Sequence, residues 1–300
     1  MKRTKTNNNN NNPLHKGDVS AILTADMHIV ESNPICRQDD LVNQTQWKKL
    51  QWLSDLQRTH NCKILHAGDL LDYWKSSPWL ISRIAKYLPK QLHTVYGNHD
   101  LPQHNAALAE KSGVHALNAT GVLEILRGFH WGSEPELSCS LEGRKVSVGH
   151  IMTYQGEEPY PGCTSPRAAK LLRKYPTFDL IVTGDNHKPF VEKYEGRLLV
   201  NPGSLFRLKA DQQKHRPRVY LWYAESNTVE AVYVPIAERV ISREHIEHAK
   251  QRNDRIEAFV ENLNDDWEAE MSFEENLKRF LQKNNTPTEV RNIIYKSIEN

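Results

Sequence analysis

Six short apolar runs in this chain stop on the same narrow set of residues, and that repetition limits the fold more than any other feature. The runs are "VSAILTAD" (19–26), "CKILHAGD" (62–69), "LHTVYGNHD" (92–100), "KVSVGH" (145–150), "FDLIVTGDNH" (178–187) and "LLVNPGS" (198–204). Each has strand length and closes on Gly, Asp, Asn, His or a Pro-Gly turn. A strand that ends in a turn calls for Gly, Asn or Asp. It does not call for histidine as well, yet His28, His99, His150 and His187 stand at or just beyond these ends. In open α/β sheets, ligands bind outside the carboxyl ends of the strands. Endings far apart in sequence can therefore meet in one crevice.

Between the runs lie helical segments. "LVNQTQWKKLQWLSDLQRTH" (41–60) is one, and "SPWLISRIAKYLP" (77–89) is another, with Ser77 as N-cap and Pro78 in the first turn. Later runs are joined by "YEGR" (194–197) and "ESNT" (225–228), which read as hairpin turns. Strands alternating with helices, followed by hairpins, predict an α/β fold with mixed rather than purely parallel sheets. Three segments follow: an Asn-rich leader over 1–17 predicted to be disordered, a main domain over 18–237, and a charged helical extension over 238–300.

Composition narrows the function classes. The chain is 38% hydrophobic and 25% charged, as soluble globular proteins are. Its apolar runs fall short of the roughly 18 residues of a membrane span, and its start lacks an apolar signal core, so a cytoplasmic location is expected. A formal charge of +2 argues neither for nor against a polyanionic partner. Cys36, Cys62, Cys139 and Cys163 are widely spaced, which disfavours a thiolate zinc site and a disulfide framework. Carboxylate, amide and imidazole without thiolate is the donor set for divalent metals of intermediate hardness.

The blocks D-x-H, G-D, G-N-H-D, G-H and G-x-x-H, in this order across residues 19–235, resemble the calcineurin-like metallophosphoesterases. The resemblance implies two mixed β-sheets sandwiched between helices, a hydrolase acting on phosphoric esters, and two divalent cations. Mn²⁺ is expected first, with Mg²⁺, Fe²⁺ or Zn²⁺ as alternatives. By position, Asp26, His28 and His187 match first-metal ligands, Asp69 the bridging carboxylate, and Asn98 and His150 second-metal ligands. His99 matches the proton donor to the leaving oxygen, with Asp72 or Asp100 as its orienting partner. One position departs from the pattern: "GDNH" places Asp185 where the family usually has a second-metal histidine. Oxygen ligation by Asp185 would favour hard ions such as Mn²⁺ or Mg²⁺.

Within the superfamily, "NPICRQDD", "GDLLDYW" and "GNHDLPQHN" look most like the SbcD-type DNA-repair exonucleases. That branch implies phosphodiester hydrolysis on DNA and a separate ATPase subunit, since this chain carries no P-loop motif of its own. Arg37 and Arg207 are then expected at the substrate, and Tyr73, Trp74 and Trp79 as a wall against a base or sugar. The alternatives are a small-molecule or nucleotide phosphatase or phosphodiesterase, and a non-catalytic scaffold.

Overall fold

The computed structural model describes residues 17–130, 133–266 and 272–298. Of the leader expected over 1–17, all but Gly17 lies outside them. Twelve strands run in chain order among the described residues. They are β1 Ala21–Thr24, β2 Lys63–His66, β3 Leu92–Thr94, β4 Glu124–Ile125, β5 Phe129–His130 and β6 Cys139–Leu141. The others are β7 Arg144–His150, β8 Leu180–Thr183, β9 Phe190–Tyr194, β10 Arg197–Asn201, β11 Arg218–Tyr223 and β12 Thr228–Tyr233. They build two six-stranded sheets, one ordered β12-β11-β1-β2-β3-β4, the other β5-β7-β8-β10-β9 with β6 paired to β7. β1 to β4 run parallel to one another, as do β5, β7, β8 and β10, while β11 on β1, β12 on β11, β6 on β7 and β9 on β10 pair antiparallel. Both sheets are therefore mixed.

The alternation of side chains along each strand sorts the core into layers. Leu23 of β1 and Leu65 of β2 face Val146, Val148, Leu180 and Val182 of the other sheet. Ile22 and Ile64, one residue along, face the helices α1 (Gln46–His60), α2 (Pro78–Tyr87) and α3 (Gly113–Ala119). On the far side Ile181 packs on Leu171 and Leu172 of α4 (Ala168–Lys174). The result is helices, sheet, sheet, helices. Each Leu, Ile or Val buried this way contributes about 1.5–3 kcal/mol, so packing rather than propensity holds strands as short as three residues.

The local signals act as read. Ser77 caps α2, its Oγ accepting a hydrogen bond from the Leu80 N–H at 3.2 Å. The helix expected over 41–60 opens with a wider turn over Leu41–Thr45, where the Asp40 carboxylate accepts from the Asn43 N–H, before α1 proper. Glu195 and Gly196 take φ of +50° and +73° in the β9–β10 hairpin. The four cysteines are unpaired.

The sheet unit ends at Ser242, a few residues past the 237/238 boundary expected. The reason is a tie back to the first metal motif's loop: Ile241 bridges Arg37, and the Ser242 N–H donates to the Cys36 carbonyl at 2.8 Å. The second unit, Arg243–Asn300, holds α5 (Glu244–Asp266), α6 (Phe273–Lys283) and α7 (Thr288–Ile298). Its small core sets Leu277, Phe280 and Leu281 of α6 against Ile294 and Tyr295 of α7. Among the described residues no helix is long and apolar enough to cross a membrane.

Candidate metal centre

The strand ends do meet. Beyond β1 and β2 the backbones stay paired, with Asp26 N–H donating to Gly68 O at 3.1 Å and His28 N–H to Asp69 O at 2.9 Å. The site residues are thus carried on rigid strand exits. Two glycines allow the approach: a side chain on Gly97 would collide with Asp69, and one on Gly184 with the Ala67 carbonyl. Asp26, His28, Asp69 and Asp185 hold φ of +46°, +43°, +54° and +66°, a region non-glycine residues rarely occupy. Each such residue costs on the order of 1–3 kcal/mol, and residues of this kind cluster where the fold holds side chains for a purpose.

One oxygen organises the centre. Asp69 Oδ2 lies 3.5 Å from His28 Nε2 and 3.3 Å from His150 Nε2. Around His28 Nε2 are His187 Nε2 at 3.2 Å and the carboxylate of Asp26. Around His150 Nε2 are Asn98 Oδ1 at 2.9 Å and Asp185 Oδ1 at 3.9 Å. All seven residues expected as ligands are therefore gathered, in two groups that share Asp69.

The remaining atoms of these groups are pinned by backbone. Asp26 Oδ1 accepts from the Asp185 N–H at 3.0 Å, while its Oδ2 is buried with no hydrogen-bond partner. Asp69 Oδ1 accepts from the His99 N–H at 2.9 Å, which leaves Oδ2 for the centre. His150 Nδ1 lies 2.8 Å from the Ala67 carbonyl. A carbonyl only accepts, so a proton sits on Nδ1, and Nε2 is the ring atom turned inward toward Asn98 and Asp69. Orientation of this kind is the usual support of a metal-ligating imidazole.

The electrostatics ask for positive charge. Burial pushes the Asp26 carboxyl up to about 7, with Asp69 and Asp185 adding to the effect and His150 opposing it. Burial drives His28 down to about 3, so its imidazole stays neutral with a lone pair to give. Burial would also lower His150, but Asp69, Asp26 and Asp185 raise it to about 10. Buried carboxylates, inward lone pairs and an orphaned Asp26 oxygen together fit two divalent cations.

His99 stands beside the first group, its ring centroid 4.7 Å from that of His28. Its Nδ1 lies 2.7 Å from the backbone carbonyl of Asp72. The hydrogen bond that orients the ring therefore comes from backbone, while an Asp72 carboxylate oxygen lies within 4.8 Å of a His99 nitrogen without bonding it. The Asp72 carboxylate faces His28 Nδ1 instead, at 3.6 Å. Asp100 is buried and accepts from the N–H groups of Leu70, Leu71 and Gly97 at 3.3, 3.0 and 2.9 Å. It stitches the β2 and β3 exits together and makes no recorded contact with the His99 ring among the described residues.

Arg37 and Arg207 are corrected too. Both are buried, at 8% and 5% exposure, and neither lines a cavity at the centre. Arg37 donates to Asp39 Oδ2 at 2.6 Å and to the Arg207 carbonyl at 3.1 Å, and Arg207 donates to the carbonyls of Gln213 and Ala237. Their charges tie loops together. Of the aromatic wall, Tyr73 lines a cavity, Trp74 lies behind it at 5.6 Å, and Trp79 turns away to pack on Trp47 and Arg83.

Two cavities reach the centre and share no lining residue. One, of about 390 Å³, has His28, His99 and His187 in its wall; the other, of about 580 Å³, has Asn98, His150 and Asp185. Lys209 lines the first, and its charge acts on both Asp72 and His187. Lys209 was not singled out in the sequence, and its place in the loop that follows the Pro202-Gly203 turn was the available signal.

Residues 20–223 match the calcineurin-like phosphoesterase superfamily domain. No curated protein matches the chain. Among solved structures it is similar to an archaeal phosphodiesterase, at 12% identity and TM-score 0.42 over 71% of this chain and 99% of that one. It is also similar to a predicted phosphoesterase from Streptococcus pneumoniae, at 12% identity and TM-score 0.34 over 67% and 79%. A third similar structure is vacuolar protein sorting 29 from Cryptosporidium parvum, at 17% identity and TM-score 0.36 over 73% and 97%.

Proposed function

The chain belongs to the calcineurin-like phosphoesterase superfamily, and from that premise we propose that it hydrolyses phosphodiester bonds as a two-metal enzyme, as a DNA nuclease of the SbcD type. The observation that carries the two-metal reading is the sharing of Asp69 Oδ2 between the His28 and His150 groups, at 3.5 and 3.3 Å. Asp26, His28, His187 and Asp69 would hold one cation, and Asp69, Asn98, His150 and Asp185 the other. Bound there, the pair supplies Lewis acidity: it neutralises the phosphoryl oxygens and lowers the pKa of the attacking water. The oxygen-rich second group favours Mn²⁺ or Mg²⁺ over Zn²⁺.

The chain's own residues do the positioning and the proton transfer. As water oxygen bonds to phosphorus, the ester P–O bond breaks and its electron pair stays on the leaving oxygen. Protonated on both ring nitrogens, His99 would give that oxygen its proton from Nε2, because Nδ1–H is committed to the Asp72 carbonyl, while the attacking water's proton leaves to solvent. General acid catalysis of this kind contributes about 10²–10⁴ in rate. The DNA assignment draws support from Lys75 and Lys209 in the wall of the first cavity, where they suit backbone phosphates flanking the scissile one. An ATPase partner belongs to the same reading. The volume of that cavity, about 390 Å³, favours a second reading, a phosphodiesterase acting on free nucleotides.

The test strips the protein of metal and re-supplies Mn²⁺, Mg²⁺ or Zn²⁺. Its substrates are a nitrophenyl monoester, a bis-nitrophenyl diester and end-labelled oligonucleotides. Diester and oligonucleotide cleavage with Mn²⁺, absent in Asp69→Asn, is expected. Monoester cleavage alone would move the assignment to a phosphatase, and no turnover would return the scaffold reading. In the active case, His99→Asn lowers kcat by about 10²-fold or more on oligonucleotides and far less on nitrophenyl esters, whose leaving group needs no proton.

A further inference from the structure

The two cavities at the centre differ in what they offer. The one that carries Asn98, His150 and Asp185 has Tyr96 and Leu101 beside those groups and no lysine or arginine in its wall. The one that carries His99 has Lys75 and Lys209 in its wall and Tyr73 59% exposed at its edge, with Ile29, Leu80 and Phe206 almost wholly buried behind it. Its volume of about 390 Å³ falls in the range of small-molecule sites. A phosphate alone fills only part of such a volume, and the exposed Tyr73 ring offers a surface to an apolar body attached to the phosphorus.

Three further features specify that body. Tyr73 presents an open ring, held from behind by Trp74 at 5.6 Å, and a flat aromatic group stacks on such a ring whatever its identity. Lys75 and Lys209 add two cations in the same wall. Lys209 is exposed and lines the same cavity as His28, His99 and His187, so its ammonium is free to meet an anion bound there. A ligand that is apolar and flat, about the size of the cavity, and anionic at a second point is a nucleotide unit. His99 in the same wall assigns the direction, because the group that receives its proton is the leaving alcohol.

The geometry points to a nucleoside subsite on the leaving-group side of the centre, which seats base and sugar of the departing alcohol while Lys209 holds that unit's other phosphate. This rests on the two-metal reading above and adds the substrate's polarity to it. A polynucleotide end and a free dinucleotide share this chemistry. The group on the other side of the scissile phosphorus lies toward Asn98, His150 and Asp185, where no lysine lines the cavity to hold a second phosphate.

The experiment uses the full chain loaded with Mn²⁺ and calorimetric binding of inorganic phosphate, thymidine 3′-monophosphate and thymidine 5′-monophosphate. Inorganic phosphate reports on the centre, and the gain of nucleotide over phosphate reports on the cavity. Ser32 lines the cavity, is exposed, and makes no recorded hydrogen bond among the described residues, so Ser32→Trp fills the space from the surface. The wild type is expected to bind one of the two nucleotides about tenfold or more tightly than phosphate, within what one base stack contributes. Ser32→Trp removes that gain and leaves phosphate binding intact, and Lys209→Ala reduces it. The favoured isomer identifies which hydroxyl departs. Equal binding of nucleotides and phosphate by the wild type, or a gain that survives Ser32→Trp, overturns the subsite. Nucleotide binding lost in Ser32→Trp, with no binding of phosphate alone, keeps the subsite and overturns the two-metal reading. Cleavage of a dinucleotide but of no longer chain assigns the free ligand over the polymer end.

Discussion

Two regions of this molecule bury several titratable groups, and they do it in different ways. At the strand ends, Asp26, His28, Asp69 and His150 are 0–4% exposed. Behind the loop after β1, Arg37, Lys49 and Arg207 are 5–8% exposed. In the first region the free atoms converge: Nε2 of His28, Nε2 of His150 and Oδ2 of Asp69 lie within 3.5 Å of a neighbour in the set, and backbone groups hold the other atoms away. In the second the guanidiniums diverge, toward Asp39 and toward the carbonyls of residues 207, 213 and 237. Convergence leaves coordination for a third party, whereas divergence uses up the terminal guanidinium nitrogens in joining loops and leaves the two arginine Nε atoms buried and apart. Burial of charge marks both regions, so burial alone does not identify a site. The direction of the lone pairs does.

The largest expected effect breaks the converging region. Asp69→Asn removes the charge shared by both groups, and both cations should be lost from the folded protein. Altering residues that merely orient metal ligands costs about 10–100-fold in affinity, so this loss should exceed roughly 100-fold in a Mn²⁺ titration. Retention of one tight site would show that Asp69 does not bridge. Next comes the diverging region. Arg37→Ala strands the Asp39 carboxylate, which also accepts from Thr45 Oγ1 at 2.6 Å. Breaking a buried pair costs up to about 3–5 kcal/mol, and Asp39 keeps 22% exposure, so about 3 kcal/mol is expected in urea denaturation. Activity per folded molecule should be unchanged. A selective loss of kcat/KM on DNA would instead restore Arg37 to the substrate site. Smaller again is Asp185→His, which replaces an oxygen donor by nitrogen. Its preference should move about tenfold from Mn²⁺ toward Zn²⁺, and an identical metal profile would show that Asp185 does not ligate.

The same contrast explains what was legible in the sequence. Asp26, His28, Asp69, Asn98, His150, Asp185 and His187 all stand at the ends of apolar runs, and the sheets bring such ends to one edge. Their meeting follows from local pattern plus topology. The layered α/β fold was legible for the same reason, since Ile22, Leu23, Ile64 and Leu65 alternate in a way that only a doubly covered sheet satisfies. The partner of His99 was not legible. It is a backbone carbonyl, and a carbonyl has no residue type to read. Nor was the burial of Arg37 legible, because its partner carbonyl on Arg207 lies 170 residues away. Charged side chains beside a motif look alike until tertiary contacts show where they point. Strands of two or three residues, such as β4, β5 and β6, carry too little periodicity to be seen at all.

The smallest effect tests the diverging region through pH. Lys49 is held in that region with its ammonium 5.5 Å from the Phe206 ring centroid. Burial, with Arg37 and Arg207 adding to it against an opposing pull from Asp39, lowers its pKa to about 7. The ordinary value is 10.5. Below about pH 7 both folded and unfolded chains carry the proton, and the folded state bears the full cost of a buried charge. Between about 7 and 10.5 the folded Lys49 is neutral while the unfolded one is charged, so unfolding takes up a proton. Stability from this residue therefore rises with pH through that window, by at most about 1.4 kcal/mol per unit. Lys49→Met keeps the length and removes the titration. The variant should be more stable than the wild type at pH 6, and its advantage should shrink as pH climbs from 7 toward 10. Measured as the difference between the two proteins, the other titrating groups cancel to first order. A constant difference across that range would mean that Lys49 keeps its charge in the fold. The three cations would then need a countercharge beyond Asp39, and the diverging region would have to be read again as a site.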